Sequence, residues 1–206
     1  TASEALLSGN TYSGALGRVT GNNVATYAYT LGTLSAGNNY ILNLAGTNTF
    51  AITKASLQVK AGLKVIFKGD PLPTPASTVT VTGLKNGDNP TLAYTTSPTY
   101  SPAASPAGVY IIIPSLQTFA NAGNYTITYI NGTLYVNPKG PGAKKLIPKL
   151  DCVVEITNPS PGQYRYIARF TCDNNNTTPV YVPIGPDNNL SSNGGSFNGS
   201  AQPVLF

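Results

Sequence analysis

The sequence contains no histidine, no tryptophan and no methionine, and only 9% of its residues are charged, against about 25% in an average soluble domain. General acid and base chemistry rests on His or on paired carboxylates whose pKa values are driven apart. The first is missing. The seven acids, Glu4, Asp70, Asp88, Asp151, Glu155, Asp173 and Asp187, are scattered without a DxD pair, an EF-hand loop or an HExxH pattern. No calcium or zinc cage is recognisable, no cofactor is implied, and an enzyme is disfavoured. No apolar run approaches the roughly 18 residues of a membrane-spanning helix, so no membrane span is expected. The first ten residues, TASEALLSGN, lack a basic n-region and an apolar h-region, so an extracellular location has to rest on other features.

The net charge of +5 comes from 12 Lys and Arg. Their one concentration, Lys139, Lys144, Lys145 and Lys149, sits in PKGPGAKKLIPK among Gly and Pro. Nucleic-acid binding needs basic residues interleaved with aromatics on one face or one helix. This stretch is expected to be a solvated linker, and no nucleic-acid partner is expected.

What the chain does have is short runs of Val, Ile, Thr and Tyr punctuated by Gly, Asn and Pro, the pattern of an all-β chain of many short strands. Strands are expected at 24–31, 40–45, 49–53, 57–61, 64–68, 77–84, 92–97, 108–116, 125–130 and 133–137. Asn131 and Gly132, between YTITYI and TLYV, predict a hairpin turn of the I′ type. In YTITYI one face carries Tyr125, Ile127 and Tyr129 and the other Thr126, Thr128 and Ile130. Packing of these tyrosines into a core is favoured over a ligand face.

A fixed long offset organises the chain. AGNNYILNLAGTNTFAITK at 36–54 returns as AGNYTITYINGTLYVNPK at 122–139, with Tyr40 and Lys54 matched by Tyr125 and Lys139, 85 positions later. Such spacing marks a repeated structural unit. Within it, GLKNGD places Gly83, Asn86, Gly87 and Asp88 at a tight structural corner, where Asn86 and Asp88 can bond their own backbone.

The segment from Ala55 to Lys139, through ASLQVKAGLKVIFKGDPLP, VTGLKNGD and NAGNYTITYINGTLYVNP, resembles one repeat of the MBG (YGX-like) type. Such repeats are strung in tandem in large surface proteins and adhesins of bacteria, of the Bacteroidetes kind. Phe67, Gly69, Asp70, Gly83, Leu84, Asn86, Gly87, Asp88, Ala122, Gly123, Asn124 and Tyr125 occupy the motif positions, with Phe67-Lys68-Gly69-Asp70 in place of the common Tyr-Gly-Asp. The resemblance implies tandem small β-sandwich or β-grasp-like domains: residues 1–54 an incomplete repeat, 55–138 a complete one, 139–149 a linker, and 150–206 an incomplete third β domain. Carried back through the 85-residue offset, Thr1 falls near Asn86. The first copy is therefore expected to begin after its own corner, without roughly its front 34 residues, counting Ala55 to Asp88. The last apolar run, QPVLF, is expected to be an edge without a partner.

Beyond Leu150, LDCVVEITN and YRYIARFTC read as a hairpin. With its turn near Ser160 to Gln163, residues whose numbers sum to about 324 face each other, setting Cys152 opposite Cys172 and Glu155 opposite Arg169. A cross-strand disulfide is the expectation, two buried thiols the alternative. No CxxC spacing supports zinc.

Two explanations fit chain ends that fall inside domains: a piece of a longer surface protein, or a filament subunit completed by a neighbour's strands. The partners expected are other copies of the chain or other domains of the same long polypeptide. The function expected is mechanical, to extend, space or polymerise a surface structure. The alternative is a glycan- or protein-binding adhesin module, in which exposed Tyr and convergent Asn would grip surface glycans.

Overall fold

The computed structural model describes residues 5–189 and 203–206, so most of the polar tract 187–200 lies outside it. The chain is all-β. Its strands are β1 (Gly17–Arg18), β2 (Ala25–Thr30), β3 (Thr49–Ile52), β4 (Ala55–Ala61), β5 (Leu63–Phe67), β6 (Val79–Thr82), β7 (Leu92–Ser97), β8 (Gly108–Leu116), β9 (Tyr125–Ile130), β10 (Gly132–Asn137), β11 (Leu146–Glu155) and β12 (Tyr166–Asn174), with a short helix, α1 (Pro75–Thr78). They form sheets in the orders β1-β2-β3, β6-β4-β9, β5-β10-β8-β7 and β11-β12. The chain divides into two compact units. One takes the residues up to Gln58 with Thr82–Pro90 and Thr118–Thr128, and the other takes Val59–Val81, Thr91–Gln117 and everything from Tyr129 on.

The second unit holds the main core. β8 and β10 alternate in burial, so Tyr110, Ile112, Leu134 and Val136 meet Ala61 and Tyr100, with Ile66, Leu72 and Tyr94 packed against them. A core short of Leu and Phe is filled here by tyrosines, and each needs a partner for its hydroxyl once water is excluded. Tyr110 donates to the Pro106 carbonyl (2.8 Å) and Tyr100 to the Asp70 carbonyl (2.9 Å), while Tyr94 donates to the Pro73 carbonyl. The Tyr100 and Tyr110 rings meet edge to face at 5.5 Å, the arrangement their quadrupoles favour. Beyond the sheet, buried Asn137 exchanges two hydrogen bonds with the backbone of Tyr181 (2.7 and 2.9 Å), and the Tyr135 and Tyr181 rings stack at 4.7 Å.

In the first unit β2 sets Tyr27 directly opposite Phe50 of β3. The Arg18 guanidinium covers both rings, 4.9 and 5.1 Å from their centroids, and is itself held by the carbonyls of Val19 and Gly21 (3.1 and 2.7 Å). One arginine thus shields an aromatic pair that no core surrounds.

Several elements differ from the sequence expectation. β9 and β10 do not form a hairpin: they lie in different sheets, and neither Asn131 nor Gly132 has the positive φ that a I′ turn requires. The chain instead turns a corner there, crossing the one between β4 and β5. A Cβ on Gly132 would sit 2.2 Å from the Gly62 carbonyl oxygen and 2.8 Å from the Ala61 carbonyl carbon. Glycine is needed at 132 for close approach, not for handedness. YILNLA at 40–45 is irregular, with Ile41 91% exposed. The front of STVTVTGL is helical because Pro75 pre-sets the first turn and the Thr78 hydroxyl donates back to the Thr74 carbonyl. β11 starts at Leu146, inside the stretch read as linker. The terminal PVLF has a partner: the amides of Val180 and Val182 donate to Phe206 and Val204 (3.0 and 2.8 Å), and the Phe206 amide returns a bond to Val180.

Gly132→Ala is therefore expected to lower stability by several kcal/mol through backbone overlap, while Gly123→Ala, which meets nothing within 4 Å, changes it by about 0.5 kcal/mol or less. Thermal unfolding of the two variants checks the contrast.

Candidate functional site

The residues singled out by the GLKNGD and AGNY motifs meet at one corner. Gly83 (φ 99°), Asn86 (φ 55°) and Gly87 (φ 74°) take left-handed conformations, and a Cβ on Gly83 would lie 2.3 Å from the Ser56 carbonyl oxygen. The Asp88 amide closes the turn on the Lys85 carbonyl (2.9 Å). The Asp88 carboxylate does not bond its own turn; it accepts from the Tyr125 hydroxyl and from Asn121 Nδ2, both at 2.6 Å. Tyr125, buried and tilted against the Phe119 ring at 5.2 Å, in turn accepts the Lys85 amide (2.9 Å). One phenol thereby ties the loop's backbone to its acid. The hydrogen bonds from Tyr125 and then Asn121 hold the Asp88 carboxyl below the usual range. Donating that hydrogen bond to Asp88, followed by burial, pushes the Tyr125 phenol up.

Asn124, next to Tyr125, fastens a second segment: its Oδ1 accepts the Val24 amide (2.8 Å) and its Nδ2 donates to the Asn23 side chain (3.0 Å). Phe67, Gly69 and Asp70 form a comparable turn at the end of β5. Gly69 has φ 94°, Asp70 Oδ2 accepts the Phe67 amide (3.1 Å), and Asp70 Oδ1 meets Lys139 Nζ (3.1 Å). The Phe67 amide, then Lys139, hold this carboxyl low as well.

The first copy has its own corner, which sequence offset alone hid. The Leu7 amide donates to the Tyr40 hydroxyl (2.9 Å), as Lys85 does to Tyr125. Asn10 Nδ2 bonds the same hydroxyl (3.0 Å), in the place of Asp88. The Asn10 amide closes on the Leu7 carbonyl (3.1 Å), and Gly9 has φ 86° where Gly87 has 74°. Leu7–Asn10 therefore corresponds to Lys85–Asp88 at an offset of 78 (85 − 7 and 88 − 10), not 85. The corner expected to lie ahead of Thr1 is present. It was missed because Ala5, Ser8 and Asn10 stand where Gly83, Asn86 and Asp88 stand, and because the span from corner to tyrosine is seven residues shorter.

In the C-terminal hairpin the two cysteines do not face each other. Cys152 is opposite Arg169, Cys172 opposite Pro148 and Glu155 opposite Tyr166, with a register shift between Leu150 and Cys152. Both thiols are free, and burial raises the Cys172 thiol, with the Asp173 charge adding to it. The reason is the position of the turn, whose centre lies one to two residues nearer β11 than expected: Asn158 and Gly162 take positive φ, and the Ile156 amide pairs with the Arg165 carbonyl (2.8 Å). Facing residues thus sum to about 321, as in 152 + 169.

Clefts are shallow. One of about 430 Å³ is bordered by Lys68, Lys139, Lys144 and Asn176, and one of about 300 Å³ by Asn23, Asn121 and Asn124. Tyrosine lines neither, so neither has the aromatic platform on which a sugar ring stacks. Among the described residues no three His, Cys, Asp or Glu side chains gather as a metal site, and no helix is long and apolar enough to cross a membrane.

Residues 57–135 match the family described as MBG domain (YGX type). The matched stretch runs from β4 into β10 and contains both the Asp70 turn and the Tyr125 corner. The family it matches is one of extracellular-type repeat or adhesin-like modules, typical of surface proteins. No curated protein matches the chain, and no solved structure does.

The Asp88 and Tyr125 shifts set a pH window. Asp88, with its folded pKa lowered, contributes stability that is complete above its unfolded value, near 4, and is lost as pH falls through the folded one. Tyr125, with its folded pKa raised, contributes stability that is complete below its unfolded value, near 10, and is lost as pH rises through the folded one. Asp88→Asn should keep the fold at neutral pH, since Asn10 fills that place beside Tyr40, while shallowing the acid-side fall in melting temperature. An unchanged acid limb in a melting series from pH 2 to 7 would show that the carboxylate does not hold the corner.

Proposed function

We propose that the chain is a structural segment of an extracellular bacterial fibre or stalk, in which MBG-type modules follow one another and separate polypeptides are joined by strand complementation. Residues 1–54 are then a partial module, 55–138 a whole one, 139–149 the connection and 150–206 the start of a further β domain. The observation that carries this proposal is the corner built twice, at Leu7–Asn10 with Tyr40 and at Lys85–Asp88 with Tyr125. Two copies of one lock, with Asn10 in one standing where Asp88 stands in the other, point to a unit selected for its backbone geometry, which is what a spacer requires. The hydrogen-bonded strands and scarce titratable groups suit load-bearing outside the cell, and the work is mechanical rather than catalytic.

The purified chain should form oligomers or fibres whose size grows with concentration, as sedimentation velocity and electron microscopy would record. A single monomeric species from micromolar to near-millimolar concentration would count against polymerisation. In the same preparation, Asn137→Ala should lower stability by about 2–4 kcal/mol, because it strands the backbone N–H and C=O of Tyr181 without partners; calorimetry reads this independently of assembly.

A further inference from the structure

The two copies differ in what lies beside one strand. In the second, β10 has neighbours on both edges: β8 antiparallel, and β5 parallel in the register Leu134 to Lys64, Tyr135 to Val65, Val136 to Ile66 and Asn137 to Phe67. In the first, the 85-residue offset makes β3 the counterpart of β10, with Thr49–Ile52 standing for Leu134–Asn137. β3 has β2 antiparallel on one edge, as β10 has β8. Among the described residues no strand lies on its other edge. Leu134 and Val136 are wholly buried, whereas Thr49, Phe50 and Ala51 are exposed.

An open sheet edge is a row of unpaired donors and acceptors that templates another strand. The whole copy shows what kind of strand that edge takes. Leu134 and Val136 are replaced by the smaller Thr49 and Ala51, and Arg18 already covers Phe50. The backbone edge, rather than an apolar face, is therefore the part left to be satisfied.

Resting on the reading of the chain as a strand-complemented fibre segment, we propose that the edge of Thr49–Ile52 left open among the described residues binds, in parallel, an extended segment of the Leu63–Phe67 pattern. The incoming strand sets its Lys64-, Val65-, Ile66- and Phe67-like residues opposite Thr49, Phe50, Ala51 and Ile52. The occupant is an alternating β-segment followed by a Gly-Asp turn, as β5 is followed by Gly69 and Asp70.

The test uses the full chain and a synthetic peptide of residues 61–70, AGLKVIFKGD, with hydrogen exchange read by mass spectrometry at concentrations where the chain is monomeric. Amides within 49–52 should exchange about tenfold more slowly with peptide bound. A Lys64→Pro/Val65→Pro peptide should give no slowing, since adjacent amides point to opposite sides and one of the pair must face the edge. No slowing up to millimolar peptide overturns the proposal, as does slowing confined to β7 or β12, faster exchange along β10 from strand displacement, or equal slowing by the proline peptide. Specific slowing at 49–52 in a chain that never assembles sustains the edge while removing the fibre reading. Assembly that leaves 49–52 unprotected does the reverse.

Discussion

Where β4 passes into β5 and β9 into β10, the carbonyl oxygen of Gly62 occupies the space a side chain at residue 132 would need. Both strand pairs leave one sheet and enter another at that point. The crossing lets Ala61 reach Leu134 and Ile112 in the core. A larger residue at 132 would push the two backbones apart and open the packing that their approach creates. The rest of the second unit is arranged around this contact, with β8 and β7 extending the sheet that β5 and β10 begin.

A chain with so few charges must satisfy its backbone at the ends of strands by other means, and it uses amides and phenols. Asn137 pairs with the backbone of Tyr181, and Asn176 pairs in the same two-bond manner with Lys144 (2.7 and 2.8 Å). Asn124 takes the Val24 amide. A carboxamide presents one acceptor and a donor in one plane, so it imitates a residue of a neighbouring strand where no strand is available. Tyrosine contributes an apolar body and a hydroxyl that reaches a loop, as Tyr110, Tyr100 and Tyr125 do. The ion pairs are exposed and contribute little.

Much of the strand layout was legible from residues alone. LAYTTS, GVYIIIPSL and YTITYI became β7, β8 and β9 at the expected boundaries, because β-branched and aromatic alternation is a local property. Strand partners were not legible. Asn-Gly between two strands is the strongest short-range hairpin signal, yet Asn131 and Gly132 serve a sheet change, since β10 gains more from lying between β5 and β8 than from folding back on β9. YILNLA has strand composition, but among the described residues no strand pairs with it as β4 pairs with β9, and the residues after Tyr40 are irregular. The facing of Cys152 and Cys172 depended on a turn centre misplaced by between one and two residues, enough to give each thiol a different neighbour.

Composition and periodicity by themselves settled the all-β class and the recurrence of the AGN(N)Y segment. These depend on side-chain preferences and fixed spacings, which survive without coordinates. Only the tertiary structure found the first copy's corner at Leu7–Asn10, because a seven-residue difference in loop length breaks a constant offset while leaving hydrogen-bond geometry intact. It alone also gave Gly132 its reason, since close approach of two distant backbones is a property of no single stretch of sequence.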